Sequence, residues 1–61
     1  MRLEFRRKIQ LGAKMEVFEG CVNVHSETRE GVVYLVFGHM GHVKSMCLRD
    51  WDVEIYQEAR A

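Results

Sequence analysis

The sequence predicts an all-β domain of five short antiparallel strands, and three observations carry that prediction. From Met1 to Leu11 apolar and polar residues alternate, with Leu3, Phe5, Ile9 and Leu11 on one phase and Arg2, Glu4, Arg6, Lys8 and Gln10 on the other. A period of two is that of a half-buried strand. Val32 to Phe37 is an unbroken apolar run between Gly31 and Gly38, as in a strand covered on both faces. Trp51 to Tyr56 alternates again, and the chain has no proline to interrupt a ladder.

The first strand thus ends at Leu11, with "LGAK" turning through Gly12. Arg7 is the one exception on its apolar phase. A second strand, about Met15 to His25, changes phase: Met15 and Val17 are apolar on odd positions, Phe18, Val22 and Val24 on even ones. A slip of that kind beside Gly20 predicts a bulge or sharp bend. "HSETREG" reads as a polar loop, and Val32 to Phe37 as the third strand. "GHMG" reads as a hairpin connection, and His42 to Leu48 as the fourth strand. "RD" is a corner, and Trp51 to Tyr56 forms the fifth strand, with Trp51, Val53 and Ile55 facing inward. A short C-terminal helical turn around Gln57 to Ala61 is compatible with the good helix formers there.

This order of long strand, bent strand, apolar strand, short strand, corner and final strand resembles an SH3-like or Tudor-like barrel, a curled five-stranded antiparallel sheet. The resemblance is one of pattern over the whole chain. The acidic and aromatic "ALYDY"-type start and the late proline of peptide-binding SH3 domains are absent, so that family's ligand is not implied. The expected core is Phe5, Phe18, Val22, Leu35, Phe37, Leu48, Trp51 and Val53.

Sixty-one residues suffice for a single domain, 1–61. A chain this short buries only about 60% of its unfolded surface, so its stability is of the order of ~3–5 kcal/mol. With 48% hydrophobic and 30% charged residues the composition is that of a globular chain. The longest apolar run is too short to span a bilayer, and charged residues follow Met1 in place of an apolar leader core. Together these point to a cytoplasmic protein without a membrane partner. Cys21 and Cys47 read as reduced, half-buried thiols, because a secreted chain of this size usually carries two to four disulfides.

The formal net charge is zero, but its distribution is uneven. Residues 1–14 carry Arg2, Arg6, Arg7, Lys8 and Lys14 against Glu4, while residues 49–61 set Asp50, Asp52, Glu54 and Glu58 against Arg49 and Arg60. Two readings follow. If the first and last strands pair, Arg2, Arg6 and Lys8 lie beside Asp52, Glu54 and Glu58, at about 0.2–1 kcal/mol for each opposed pair. If they do not, the basic stripe is free to neutralise phosphates, with Tyr34 and Tyr56 able to stack on bases. A pI of 6.8 favours internal pairing over a basic nucleic-acid module.

Motif chemistry is sparse. "GHMGH" places His39 and His42 three apart, and His25 or Cys47 could join them. Structural zinc sites, however, carry paired ligands in both halves of the site, so we expect a turn whose imidazoles sit in water, with no metal and no cofactor. Ser26 beside His25 makes no triad, because neighbours on a strand point to opposite faces. No phosphate loop, HExxH or carboxylate-pair motif appears, and the expectation is a chain that is not an enzyme. The functional expectation is a binding module acting through protein–protein contacts, as a homodimer or accessory regulator. The alternative is a small nucleic-acid-binding barrel. The candidate binding residues in either case are Arg2, Arg6, Arg7, Lys8, Tyr34 and Tyr56.

Overall fold

The computed structural model describes residues 1–9, 12 and 15–57. Six strands follow one another: β1 (Arg2–Arg7), β2 (Glu16–Phe18), β3 (Val22–Arg29), β4 (Val32–His39), β5 (His42–Cys47) and β6 (Trp51–Tyr56). They form two three-stranded antiparallel sheets, ordered β2-β1-β6 and β3-β4-β5. The all-β expectation holds. Five strands become six because the second splits at Gly20, whose φ of 69° lies in the left-handed region. The two sheets do not close into a barrel. The chain's own bend is what carries it from one sheet to the other. At that bend the Cys21 amide donates to the Met1 carbonyl at 2.8 Å, extending the β1 ladder around the corner.

First and last strands do pair. β1 and β6 run antiparallel with Leu3 opposite Ile55, Phe5 opposite Val53 and Arg7 opposite Trp51. The ladder ends at Arg7, so Ile9, expected on the buried phase, stands 86% exposed. Leu11 and the helical turn expected beyond Gln57 lie outside the described residues.

The "HSETREG" loop is corrected. His25 to Arg29 belong to β3 and pair with Val36 to Val32 of β4. Only Glu30 and Gly31 turn, with φ of 50° and 77°. Met40 and Gly41 repeat this geometry at 50° and 79°, between the directly paired His39 and His42. Two consecutive positive φ values define the type I′ hairpin, whose twist matches that of its strands. A strand wet on most positions needs no apolar alternation; β4, apolar throughout from Val32 to Phe37, supplies the order. After β5, Leu48 donates to the Val33 carbonyl at 2.9 Å and Lys8 to the Asp50 carbonyl at 3.0 Å, tying the last corner to both sheets.

The core lies between the sheets. Leu3, Phe5, Cys21, Leu35 and Phe37 are its buried members, with Met1, Phe18, Val24, Met46, Leu48, Trp51 and Val53 packed around them. Phe5 of β1 stacks on Phe37 of β4 at 5.7 Å between centroids and meets Phe18 and Trp51 edge-on. Val22, expected in the core, is 57% exposed. The register slips between Val22 and His25, and that bulge turns Val24 inward in its place. Val36 is buried as well, but on the opposite side of β4 from Leu35 and Phe37.

Because Phe5 is fully buried and meets the rings of Phe18, Phe37 and Trp51, Phe5→Ala should cost about 3–5 kcal/mol. That equals the whole margin of a domain this small, about 3–5 kcal/mol. Loss of the cooperative thermal transition, followed by circular dichroism, is the expected result; a transition within a few degrees of the parent would overturn this core.

Candidate functional site

The outward face of β2-β1-β6 carries most of the charge that stands out in the sequence. Strand parity sets Arg2, Glu4 and Arg6 of β1 between Met15, Val17 and Glu19 on one side and Asp52, Glu54 and Tyr56 on the other. Arg2 pairs with Glu4 at 2.8 Å and with Glu19 at 3.8 Å, and Lys8 with Asp52 at 3.8 Å. Arg6 stands opposite Asp52 in the ladder, and its guanidinium reaches the Met15 Sδ at 4.0 Å. The predicted mingling of β1 cations with β6 carboxylates is present, but Arg2 is held by Glu4 and Glu19, and Glu4 faces Glu54 directly. Glu58 lies outside the described residues. Among the described residues three cations, Arg2, Arg6 and Lys8, thus share the face with four carboxylates, Glu4, Glu19, Asp52 and Glu54. Exposed ion pairs of this kind stabilise by about 0–1 kcal/mol each. Their larger effect is to cancel the field a phosphate backbone would need. A half-open groove of about 350 Å³ on this face is lined by Glu4, Arg6, Met15, Asp52, Val53 and Glu54.

Of the other candidate residues, Tyr56 stays on that face, whereas Arg7 and Tyr34 leave it. Arg7 has the inward parity of Phe5 and caps the end of the core, its guanidinium 4.9 Å from the centre of the Trp51 ring. Tyr56 donates its hydroxyl to Glu54, which pushes its pKa up. Tyr34 lies on the outward face of the other sheet, half-buried, with the Arg29 guanidinium 5.6 Å over its ring. The six candidate residues therefore belong to three surfaces.

The outward face of β3-β4-β5 holds a cluster that the loop reading of "HSETREG" concealed. His25, Glu27 and Arg29 stand two apart, so β3 aligns them along one edge of the face. His25 directs Nδ1 at the Asn23 carbonyl, 2.7 Å away, and Nε2 at the Glu27 carboxylate, 2.8 Å away. Both partners are acceptors, an arrangement that favours the doubly protonated ring and raises its pKa. The other Glu27 oxygen accepts from Arg29 at 2.9 Å. Spacing of i, i+2, i+4 was the signal available in the sequence, and it has meaning only once a strand is recognised. Beside this row run Val32, Tyr34 and Val36 of β4, then Val43, Ser45 and Cys47 of β5. Val43 is 80% exposed.

His39 and His42 face one another across the hairpin end, as the turn reading required. His39 does not sit in water: it is half-buried, its ring edge-on to Phe18 at 5.2 Å. Among the described residues no group of three His, Cys, Asp or Glu is placed to hold a metal ion. Both cysteines are free. Cys21 is buried, and that burial pushes its thiol pKa up, offset in part by the N-terminal ammonium. Among the described residues no helix is long and apolar enough to cross a membrane.

The His25 row titrates. The Asn23 carbonyl and then the Glu27 carboxylate raise the His25 pKa above 6.5, while His25 and then Arg29 lower that of Glu27 below 4.5. A raised histidine stabilises fully below pH 6.5, and its contribution is lost as pH rises through the folded value. The lowered carboxylate contributes above pH 4.5 and loses its contribution as pH falls through its folded value. An NMR titration of the His25 ring should give a midpoint above 6.5 that falls in Glu27→Gln; an unchanged midpoint in that variant would remove Glu27 as a cause. No protein-family model matches the chain, and no curated protein or solved structure is detectably similar to it.

Proposed function

We propose that the chain is a non-enzymatic binding module that acts through protein–protein contacts, in a homodimer or as an accessory regulator. The observation that carries this reading is the contrast between its two outward faces. On β2-β1-β6 Arg2 and Lys8, two of the three cations that suggest nucleic acid, are held by carboxylates of the same face, and Arg6 stands opposite Asp52. On β3-β4-β5 half-buried Tyr34 and exposed Val43 lie beside buried Val36, and the face ends at an edge strand whose first four residues, His42 to Ser45, are all exposed. Edge backbone and these apolar residues together suit contact with another chain. The strand order, with one long strand bent between two sheets, supports an open variant of the SH3-like arrangement. Two free thiols suit the reducing cytoplasm.

For nucleic acid to be the partner, Arg2 and Lys8 would have to exchange their carboxylates for phosphates, against the repulsion of Glu4, Asp52 and Glu54. That reading is tested by amide NMR with a mixed-sequence oligonucleotide at low and high salt. No shifts are expected at Arg2, Arg6, Arg7 or Lys8; shifts there that fade with salt would install the nucleic-acid reading. A photo-crosslinking residue at position 43, expressed in the host cell, should yield protein adducts, whereas the same residue at position 17 should yield few. Equal yields at both positions would remove the β3-β4-β5 face from the proposal.

A further inference from the structure

The sheets leave four outer strands, and three of them are protected against pairing with another chain. β2 is only three residues long. β3 carries the bulge between Val22 and His25 and the charged row of Glu27 and Arg29. β6 carries Asp52 and Glu54. Shortness, bulges and charge are the usual means by which edges are blunted. β5 is six residues long and has one formal charge, Lys44. Even that charge is drawn away from the edge, since the Lys44 ammonium lies 5.7 Å from the centre of the Phe18 ring on the other sheet.

Which backbone groups of β5 are open follows from the hairpin. The type I′ turn makes His39 and His42 a hydrogen-bonded pair, and bonded and non-bonded pairs alternate along an antiparallel ladder. Lys44 and Met46 therefore also turn their amides toward β4. The Leu48 amide, donating to the Val33 carbonyl at 2.9 Å, continues the same phase. Among the described residues, Val43 and Ser45 are left with amides and carbonyls directed at the open edge, and Cys47 with its amide, its carbonyl accepting from the Asp50 amide at 3.1 Å.

We propose that this edge pairs antiparallel with β5 of a second copy, about a two-fold axis at Ser45, joining both β3-β4-β5 sheets into one continuous six-stranded sheet. The inference rests on the protein-binding reading above and names its partner. Only registers that match outward residues to outward residues can form bonds. With Ser45 opposite Ser45, Val43 meets the partner's Cys47 in both halves, and Lys44 meets the partner's Met46. Moving the axis to Lys44 opposes two ammonium groups, which is destabilising in directly facing pairs. Moving it to Met46 leaves Val43 beyond the strand end. The Ser45 register therefore uses both open groups of Val43 and Ser45 and the amide of Cys47 without facing like charges. It also covers Val43, the most exposed apolar residue within any strand, and sets the apolar residues of both copies on one face.

The test uses the full chain in sedimentation equilibrium, with circular dichroism to confirm folding. Ser45 is exposed, so charge there leaves the monomer intact. Wild type should be dimeric, and Ser45→Lys and Ser45→Glu should each weaken dimerisation by at least about tenfold, because each sets like charges face to face. An equimolar mixture of the two variants should dimerise again, since lysine then faces glutamate. A monomeric wild type overturns the two-fold and leaves the protein-binding reading to its own crosslinking test. A dimer indifferent to either variant, or a mixture that fails to recover, places the axis elsewhere and equally overturns the proposal.

Discussion

The stack of Phe5 on Phe37 is the contact on which the rest of the molecule depends. Each ring belongs to the central strand of its sheet, and both are almost fully buried. With no closed ladder around the two sheets, the ring cluster of Phe5, Phe18, Phe37 and Trp51 carries most of what holds them together. Leu3, Cys21 and Leu35 pack beside these rings, and backbone bonds tie the periphery: the Met1–Cys21 bridge at one corner and the bonds around Leu48 and Asp50 at the other. Backbone bonds of that kind contribute about 1 kcal/mol each. Burial of a large aromatic side chain contributes more, about 1.5–3 kcal/mol.

Electrostatics then decides what the outward face of β2-β1-β6 can do. The basic start of the chain is conspicuous in sequence, yet among the described residues the face it forms holds one more carboxylate than cation. Arg7 is removed from that face altogether, because its strand parity sends it to the rim of the core and onto Trp51. A stripe of positive charge in a linear sequence becomes a field only if the fold leaves it unopposed. Here Glu19, just past β2, and Asp52 and Glu54 of β6 flank β1 on either side.

On the second sheet the balance is different. β4 is apolar on both sides, and its outward residue Val36 is buried by neighbours within the sheet, with His25 and Ser45 directly beside it. The charged row on β3 closes one margin of this face. The other margin, β5, is left with open backbone and little charge. That asymmetry between margins, more than any single residue, gives the face a direction in which it can be extended.

The sequence by itself determined the alternation of β1 and β6, the central place of β4 and the turn nature of "GHMGH". Each is a local statement about period two, β-branched content or a glycine after a residue with positive φ, and local sterics suffice to write it. Tertiary structure alone decided three other matters. It converted "HSETR" from apparent loop to strand, because a polar segment is ordered by the apolar strand it pairs with rather than by its own pattern. It exchanged Val22 for Val24 in the core, because the bulge that reverses their facing arises from bending the chain between two sheets. It also scattered the six candidate binding residues over three surfaces and assembled the His25–Glu27–Arg29 row. The face a side chain occupies depends on strand limits and register, and a shift of one residue moves every side chain to the other side.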